Sequence, residues 1–504
     1  MSHRAAGTRA HAAILLTVLF TSYAYFYQAG GWNQNSRFAL VRAITTRGTL
    51  NIDGFENCTG DRSIHDGHFY SDKAPGVAFA AVPFVAAGRV VCRAASVDPE
   101  SYTGIAALSY VATVATCGLG TALAGLCLFF VSRRLGSSTG AAAFVALAFG
   151  LGTPMWAYAT IFYGHALSAA GLVFAFAAAA AIGDPGNPRR DRLLGAAVGA
   201  AAGWATVTEF PAAVPAAILA LLALLRARRR GWPHAAGVAA ALAVAALGCA
   251  AVLGAYHWAC FGSPFHVAYS SEEGFAAMKE GFFGLSRPTA DRFRQLLVGD
   301  YRGLLPLAPI VAVAPIGLAL LIRTRESRGP AIAATLVVAF YLLLNASYFY
   351  WEGGWSYGPR HLSPGLAFAC LGLGPLWTRG RLAGRVALAG LALYGVAISL
   401  VAVSTTPQPP ADFTRPVAQL LWPAFQAGRL SLNSQRFADL RPSIDDIVAN
   451  RNPAAWNVGQ RWLGLKGHAS LAPLALLWIA GLVMWIALSG SRRADVPPGR
   501  SSPA

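Results

Sequence analysis

Residues 235–256 read AAGVAAALAVAALGCAAVLGAY, an apolar run without a single charged side chain. About 20 apolar residues in a helix cross the hydrocarbon core of a bilayer, so this run is long enough to form a membrane span. Similar runs recur along the whole 504-residue chain, in which 55% of residues are hydrophobic and only 12% are charged. Soluble domains contain about 25% charged residues. The sequence therefore predicts an all-α polytopic membrane protein and excludes a disordered chain, a collagen and a secreted disulfide scaffold.

The apolar runs predict about twelve transmembrane helices. They cover residues 11–28, 104–132, 139–158, 163–182, 193–208, 210–225, 234–258, 304–322, 330–347, 362–377, 385–403 and 470–489. The segment 74–95 is also apolar but carries Arg89 and Arg93, and we expect it to pack on the outer face of the membrane or to dip into the outer leaflet. The first run follows Arg4 and Arg9, as in a signal peptide. No convincing cleavage site follows it, so a retained signal-anchor is expected.

The net charge of +18 is distributed as short arginine clusters between the apolar runs. These clusters lie at residues 133–134, 189–190, 226–230, 323–325, 379–381 and 492–493. Short basic loops beside membrane spans mark the cytoplasmic side. Every cluster falls on that side if the chain starts inside, crosses twelve times and does not cross at 74–95. The basic charge therefore indicates membrane orientation and not a nucleic-acid partner.

This orientation leaves three longer segments on the outer side of the membrane. Residues 29–103 and 259–303 are loops of a transmembrane region that spans 1–403, and the long first loop is expected to carry membrane-parallel helices. Residues 404–469 begin with a proline-rich linker and continue with amphipathic material such as 417–425, which predicts helices at the membrane surface. Residues 470–504 provide the final span and a cytoplasmic tail. We expect a multi-pass protein of the plasma (inner) membrane.

The seven cysteines lie mostly inside apolar runs and show no metal-ligand spacing. Cys58 and Cys92 are both expected on the outer side. They either form a disulfide or remain two isolated thiols.

Polar residues that the composition does not explain concentrate in residues 60–76, GDRSIHDGHFYSDKAPG. This stretch holds Asp61, Asp66, Asp72, two histidines and Lys73. Its glycines and proline predict a loop, and a plain solvated loop is the alternative to a functional one. Lys73 favours a function because it is the first lysine in the chain and stands where an apolar segment begins. A compact ammonium at that depth can meet a lipid phosphate.

Residues 70–76, Tyr-Ser-Asp-Lys-Ala-Pro-Gly, resemble the Tyr-Phe-Asp-Lys-Pro-Pro-Leu motif of the GT-C glycosyltransferases. The similarity is greatest to the dolichyl-phosphate-mannose and aminoarabinose transferase branch of bacterial membrane enzymes. The order of a first span, a long outer loop, the lysine motif and many further spans is similar as well. The resemblance implies a GT-C-like catalytic region in 1–403 that takes a sugar from a polyprenyl-phosphate donor on the outer face. It places Lys73 at the donor phosphate, with Tyr70 and Asp72 at the substrate.

The family usually has an acidic pair after the first span, and its first acid is the catalytic base. The matching stretch here, 34–38, has the amides Gln34 and Asn35 in those positions and keeps Arg37, which we group with the donor-phosphate residues. An amide cannot accept the acceptor's proton, so the general base is expected elsewhere. The candidates are Asp53, Asp61, Asp66 and Glu209, with a slight preference for the loop aspartates.

Aromatic and polar residues near the outer face are candidates for substrate contact. Residues 348–361 combine many aromatic side chains with Gly-Gly and Gly-Pro-Arg turns. An aromatic belt at the membrane interface is the plain explanation. Aromatic faces also bind sugar rings, and Arg360 can hold a phosphate with two hydrogen bonds. The predicted substrate contacts are Trp351, Trp355, His165 and Tyr269, with Glu272 and Glu273 as weaker candidates.

The implied reaction is a single inverting displacement. A carboxylate takes the proton of the acceptor hydroxyl, and Lys73 and Arg360 stabilise the leaving phosphate. The expected partners are a polyprenyl-phosphate-linked sugar and membrane lipids. A divalent metal is compatible with this chemistry, although no ligand cluster with defined spacing indicates one.

Two alternatives remain open. A twelve-span secondary transporter would have ionisable residues at mid-span and two related halves. A non-catalytic lipid-binding relative is favoured by the loss of the acidic pair.

Overall fold

The computed structural model describes residues 2–184, 187–272, 276–279, 282–433, 435–437 and 454–494. Its α-helices are α1 (Ser2–Ala24), α2 (Trp32–Arg47), α3 (Gly76–Ala94), α4 (Tyr102–Thr113), α5 (Leu119–Arg134), α6 (Thr139–Leu151), α7 (Met155–Ala159), α8 (Gly164–Ala181), α9 (Pro188–Thr208), α10 (Ala213–Ala227), α11 (Trp232–Phe261), α12 (Ala290–Val298), α13 (Leu304–Leu307), α14 (Ala314–Arg323), α15 (Arg328–Ser347), α16 (Leu366–Cys370), α17 (Leu373–Arg379), α18 (Leu382–Thr405), α19 (Trp422–Gln426), α20 (Val458–Leu463) and α21 (Ala472–Ala494). The strands are β1 (Phe26–Gln28), β2 (Arg62–His65), β3 (His68–Ser71) and β4 (Ala455–Asn457).

Long apolar helices dominate the chain, as the composition predicts. Eight of those in the described residues are long and apolar enough to cross a membrane: Gly76–Ala94, Tyr102–Arg134, Gly164–Ala181, Phe210–Arg230, Trp232–Phe261, Arg328–Ser347, Leu382–Thr405 and Gly467–Ser489. The predicted spans 304–322 and 362–377 are helical but interrupted, since each contains a 3₁₀ turn with a proline, at Pro309–Val313 and Arg360–Gly365. The protein is an all-α polytopic membrane protein.

Small residues let the helices of the bundle approach closely. A Cβ added to Gly171 of α8 would lie 2.8 Å from the carbonyl oxygen of Ala201 in α9. A Cβ on Gly195 of α9 would lie equally close to the carbonyl oxygen of Val238 in α11. Because lipid tails are as apolar as leucine, helices in membranes associate through close van der Waals packing at such small residues. The alanine- and glycine-rich composition therefore serves packing as well as hydrophobicity.

The two ends of the bundle differ in charge. At one end, which we call the arginine end, Asp184 pairs with Arg134 and Arg226, and Asp191 pairs with Arg230. At the opposite end, the loop end, α1, α9 and α18 terminate, and the described residues of the segments 25–103, 262–303 and 406–471 lie there. This separation matches the predicted segregation of arginine clusters from the long loops.

Both ends of helix α3 lie at the loop end, although the helix is long and apolar enough to cross a membrane. A Cβ on its first residue, Gly76, would lie 2.7 Å from Cα of Thr208, where α9 ends. Near its other end, Arg89 pairs with Glu100, which also pairs with Arg42 of α2 at 2.7 Å. The far end of α3 therefore contacts residues at the loop end and not at the arginine end. This is the packing expected of a helix on the outer face.

Short strands tie the outer segments together. β2 and β3 form a hairpin whose turn, Asp66-Gly67, has positive φ at both residues, the backbone of a two-residue type I′ turn. β1 pairs antiparallel with β4, in the register Tyr27 opposite Trp456. Residues 455–457 are therefore docked on the chain that leaves α1.

The structure revises three expectations. The predicted span 11–28 ends as a helix at Ala24, because residues 26–28 pair with β4 as a strand. The segment 404–469 contains a strand as well as helices, and residues 434 and 438–453 of it lie outside the described residues. Cys58 and Cys92 form no disulfide in the part of the chain that the structure describes, and the Cys58 thiol donates to the carbonyl oxygen of Phe55 at 2.9 Å.

Candidate functional site

A cavity of about 460 Å³ opens at the loop end of the bundle. Three outer segments contribute to its wall, together with residues that follow α7 and α15. Its lining residues are Gly31, Trp32, Asn33, Asp61, Lys73, Tyr163, Met278, Tyr348, Phe349, Tyr350, Gly353, Trp355, Arg360, Gln408, Ala411, Gln435 and Arg436. Cations, one carboxylate, amides and aromatic rings thus surround a single space of ligand size.

Lys73 is held by two carboxylates at the edge of this cavity. Its Nζ lies 2.7 Å from Oδ2 of Asp72 and 3.0 Å from Oδ2 of Asp61. Burial by itself would lower the pKa of Lys73, but the two carboxylates raise it, so the side chain remains an ammonium. Burial raises the pKa of Asp72 to about 7, although the Lys73 ammonium acts in the opposite direction. Asp72 is completely buried and does not line the cavity, so it positions Lys73 from behind.

Asp61 is the member of this group whose carboxylate faces the cavity. It directly precedes β2, and its backbone N–H donates to Oγ1 of Thr59 at 3.0 Å. Of the four carboxylates predicted as the base, Asp61 lines the cavity and Asp53, Asp66 and Glu209 do not. The structure therefore separates candidates that the sequence left open.

Asp66 belongs to the β2–β3 hairpin and Asp53 binds to it, and neither lines the cavity. Asp53 accepts hydrogen bonds from the Phe69 backbone N–H at 2.7 Å and contacts Nδ1 of His68 at 2.6 Å. Asp66 forms the hairpin turn with a φ of 48°, and its side chain is 87% exposed. Both aspartates thus have local roles in the loop.

Glu209 and Arg37 form a buried ion pair behind the cavity. Nη2 of Arg37 lies 2.6 Å from Oε1 of Glu209, and Nη1 donates to the carbonyl oxygen of Ala74 at 3.0 Å. His165 contacts the same carboxylate more distantly, with 3.9 Å between Nδ1 and Oε1. None of the three lines the cavity. Arg37, predicted at the donor phosphate, instead holds the backbone that follows Lys73.

Arg360 faces the cavity, as expected of a phosphate-binding residue. Its side chain packs on Gly353, whose φ of 72° and missing Cβ leave room for it. The guanidinium carbon lies 5.8 Å from the ring centre of Tyr350 and 5.9 Å from that of Tyr163. Among the described residues, no carboxylate lies within 4.0 Å of the Arg360 guanidinium. A cation without an acidic partner at a cavity wall is suited to an anionic ligand.

The remaining predicted contacts divide between the cavity and its surroundings. Trp355 lines the cavity, whereas Trp351 does not. The backbone carbonyl oxygen of Trp351 accepts a hydrogen bond from the side chain of Asn345. Tyr70 packs against Phe261, and Tyr269 packs against Phe210. Neither tyrosine lines the cavity. Glu272 is buried, and its backbone forms an isolated antiparallel β-bridge with that of Ser63. Glu273 lies outside the described residues.

The amides that replace the family's acidic pair have structural roles. The side chain of Gln34 donates to Gly30 and to Gln408, and it accepts from the backbone N–H of Phe162 at 2.8 Å. Asn35 donates to the carbonyl oxygens of Cys58 and Arg436. These two residues therefore connect the first loop to the segment 404–469.

Sequence reasoning missed several cavity residues, notably Trp32, Gln408 and Gln435. Trp32 and Gln435 have only neutral polar or aromatic chemistry, and nothing in their local sequence marks a site. Gln408 stands in the proline-rich linker, which was interpreted only as a boundary. No group of three or more metal-ligating side chains occurs among the residues that the structure describes.

Two solved structures of ArnT and one of an archaeal oligosaccharyltransferase are among those similar to this chain. ArnT from Cupriavidus metallidurans bound to undecaprenyl phosphate is 16% identical, with a TM-score of 0.48 over 95% of this chain and 75% of that one. Its apo form is 18% identical, with a TM-score of 0.47 over 97% and 76%. The oligosaccharyltransferase AglB from Archaeoglobus fulgidus, in complex with an inhibitory peptide and a dolichol-phosphate, is 11% identical, with a TM-score of 0.47 over 86% and 61%.

No protein-family model matches the chain, and no curated protein matches it. Its own helices and cavity define an integral membrane protein with a polar, cation-lined site at one end of the bundle.

Proposed function

We propose that the protein is a membrane glycosyltransferase that moves a sugar from a polyprenyl-phosphate donor to an acceptor hydroxyl on the extracytoplasmic face, with inversion at the anomeric carbon. The observation that carries the proposal is the meeting of Lys73, Arg360 and Asp61 at one cavity. Two cations there suit a phosphate, and a carboxylate beside them suits a general base. The lysine motif in residues 70–76 supports the same reaction.

Lys73 and Arg360 bind the donor phosphate in this proposal. Lys73 provides a compact charge that two carboxylates hold in place, and Arg360 provides a planar group free of acidic partners among the described residues. The interaction of both cations with the phosphate becomes more favourable as the phosphate leaves, because its negative charge increases when the bond to the sugar breaks. A membrane location at the loop end lets the lipid tail remain in the bilayer while the phosphate enters the cavity.

Asp61 is the base in this proposal. The acceptor oxygen attacks the anomeric carbon, its O–H bond breaks and the proton passes to the Asp61 carboxylate. The bond between the anomeric carbon and the phosphate oxygen breaks, and its electron pair remains on the polyprenyl phosphate. Asp72 keeps the Lys73 ammonium in position when Asp61 accepts the proton.

A lipid-binding protein without transfer activity is the second candidate, because the family's acidic pair is replaced by Gln34 and Asn35. Such a protein would use the same two cations for the phosphate. Only the role of Asp61 separates the two candidates. A transporter is less well supported, since the ionisable groups described above lie at the two ends of the bundle and not at mid-span.

The test uses the full-length protein in lipid nanodiscs with farnesyl phosphate as the binding probe. Lys73→Ala should weaken binding by roughly 10- to 100-fold, the effect of losing a hydrogen bond to a charged group. Lys73→Arg should restore it only in part, because a planar fork does not replace a point charge. Lys466→Ala is the matched control, since Lys466 is an exposed lysine away from the cavity.

Transfer is then measured with a panel of polyprenyl-phosphate sugars. Loss of transfer in Lys73→Ala with full activity in Lys466→Ala is expected. Full binding and transfer in Lys73→Ala would remove the support for the proposal. Phosphate binding without transfer from any donor would favour the lipid-binding candidate.

A further inference from the structure

The indole of Trp32 is an exposed aromatic surface held at the cavity wall. Trp32 lines the cavity and is 55% exposed. Its ring lies directly over Gly60, where an added Cβ would be 2.7 Å from two of the ring atoms. The Trp32 carbonyl oxygen also accepts a hydrogen bond from Oγ1 of Thr59 at 2.8 Å. The indole is thus fixed on the 59–60 turn while one part of it faces open space.

The position of this indole relates it to the proposed base. Gly60, on which the ring lies, is the residue directly before Asp61. The indole face turned away from Gly60 remains for a ligand, and Asp61 lines the same cavity as Trp32. Arg360 approaches the cavity from the segment 348–361, beside Tyr350 and Tyr163.

Gln435 adds an unsatisfied hydrogen-bond donor to the same cavity. Its Nε2 is buried and has no hydrogen-bond partner in the part of the chain that the structure describes. The carboxamide lies close to Gly31, the neighbour of Trp32. A Cβ added to Gly31 would overlap Oε1 of Gln435. The backbone N–H of Gln435 donates to Oδ1 of Asn433 at 2.9 Å, which fixes the residue. A buried donor left without a partner costs free energy, so a ligand that accepts this hydrogen bond is favoured.

We infer that Trp32 and Gln435 form an acceptor subsite that binds a sugar ring, so that the acceptor is a carbohydrate. This inference rests on the proposed function. A sugar ring presents a face of C–H groups that packs on an aromatic plane, and hydroxyls that accept from a carboxamide N–H. An amino-acid hydroxyl on a peptide has no such ring face. Because Trp32 and Asp61 line the same cavity, a ring stacked on Trp32 shares that space with the carboxylate proposed to remove the proton.

The reaction at this subsite is the same displacement. The hydroxyl oxygen of the stacked sugar forms the new bond to the anomeric carbon of the donor sugar. Its proton passes to Asp61, and polyprenyl phosphate leaves with the electron pair of the broken bond. The product is a disaccharide unit or a longer glycan.

The experiment measures saturation transfer from the protein to methyl glycosides by NMR, with the full chain in nanodiscs and farnesyl phosphate present in excess. The probes are methyl glycosides of glucose, galactose, mannose and arabinose, together with a serine- and threonine-containing peptide. We expect transfer to the ring protons of at least one glycoside. The signal should be lost in Trp32→Ala and in Gly60→Ala, because the added Cβ displaces the indole. Trp32→Tyr, which keeps an aromatic plane, should restore part of it.

Trp422→Ala is the matched control, since Trp422 is an exposed tryptophan that does not line the cavity. It should leave the signal unchanged. Gln435→Ala should weaken glycoside binding by roughly three- to tenfold, the value of one neutral hydrogen bond. Absence of a signal from every glycoside would overturn the inference, as would a signal that depends on Arg360 and not on Trp32, or one confined to the peptide. Farnesyl phosphate binding that does not depend on Lys73 would instead overturn the proposed function.

Discussion

Asp61 and Asp66 stand on the same loop and have opposite surroundings. Asp61 is 5% exposed and lies 3.0 Å from the Lys73 ammonium, whereas Asp66 points into solvent from a hairpin turn. A carboxylate serves as a base only where a substrate proton comes within reach. The chemical role of each aspartate is therefore decided by the hairpin geometry and not by its residue type.

Replacing Asp61 with asparagine should lower transfer turnover by roughly 10² to 10⁴, the contribution of general-base catalysis. The amide keeps the shape of the side chain but cannot take the proton, so binding of farnesyl phosphate should persist. Asp66→Asn is a suitable control, because asparagine tolerates the positive φ of that turn. Turnover of Asp61→Asn within a few-fold of wild type would show that another group is the base.

Asp72 gives the protein a pH-dependent stability. In the folded protein its pKa is raised by burial to about 7, compared with an ordinary value of 3.8. Between these values the folded state binds more protons than the unfolded state, so stability falls as pH rises through this window. The Tm measured in nanodiscs from pH 5 to pH 8 should decrease more steeply for wild type than for Asp72→Asn. Parallel profiles for the two proteins would contradict this assignment.

At the scale of elements, the ion pair between Arg37 and Glu209 joins α2 to the end of α9. Arg37 is 2% exposed and also binds the backbone of Ala74, directly after Lys73. The position of α2 is thereby linked to that of the lysine loop. A change in the ion pair should affect the cavity through this link and not through contact with a ligand.

Arg37→Met should destabilise the protein by about 3–5 kcal/mol, because it leaves the Glu209 carboxylate buried without its partner. The double variant Arg37→Met/Glu209→Met removes both charges and should recover part of the loss. Thermal unfolding of the single and double variants measures the coupling. Strictly additive effects of Arg37→Met and Glu209→Met would contradict a coupled ion pair.

The sequence was sufficient to predict the elements that local composition determines. The long apolar helices, the basic end of the bundle and the choice of Lys73 as a candidate, which lines the cavity, follow from runs of neighbouring residues. The interruptions at Pro309 and Pro364 could have been inferred from proline chemistry but were hidden in apolar runs. The contributions of Trp32 and Gln435 could not be predicted, because their meeting depends on the docking of residues far apart in the chain. The same is true of Arg37, whose partners lie on α9 and after Lys73.

At the scale of the whole molecule, the bundle has a basic end and a cavity end. Basic loops remain on the cytoplasmic side of a membrane, so the cavity is expected on the outer side. Reporter fusions after Arg134, Arg230 and Arg328 should all report cytoplasm. A fusion after Ser96, in the connection between α3 and α4, should report the outer side, because α3 returns to the loop end. A cytoplasmic report after Ser96 would show that α3 crosses the membrane.

The pairing of β1 with β4 has a consequence for synthesis of the protein. Tyr27 of β1 lies opposite Trp456 of β4, and these residues are 429 positions apart. Ribosomes add about 5–20 residues per second, so roughly 20 to 80 seconds pass between the emergence of the two partners. Throughout that interval the hydrogen-bonding edge of β1 has no partner strand. Completion of the cavity is therefore one of the last events in the biogenesis of the chain.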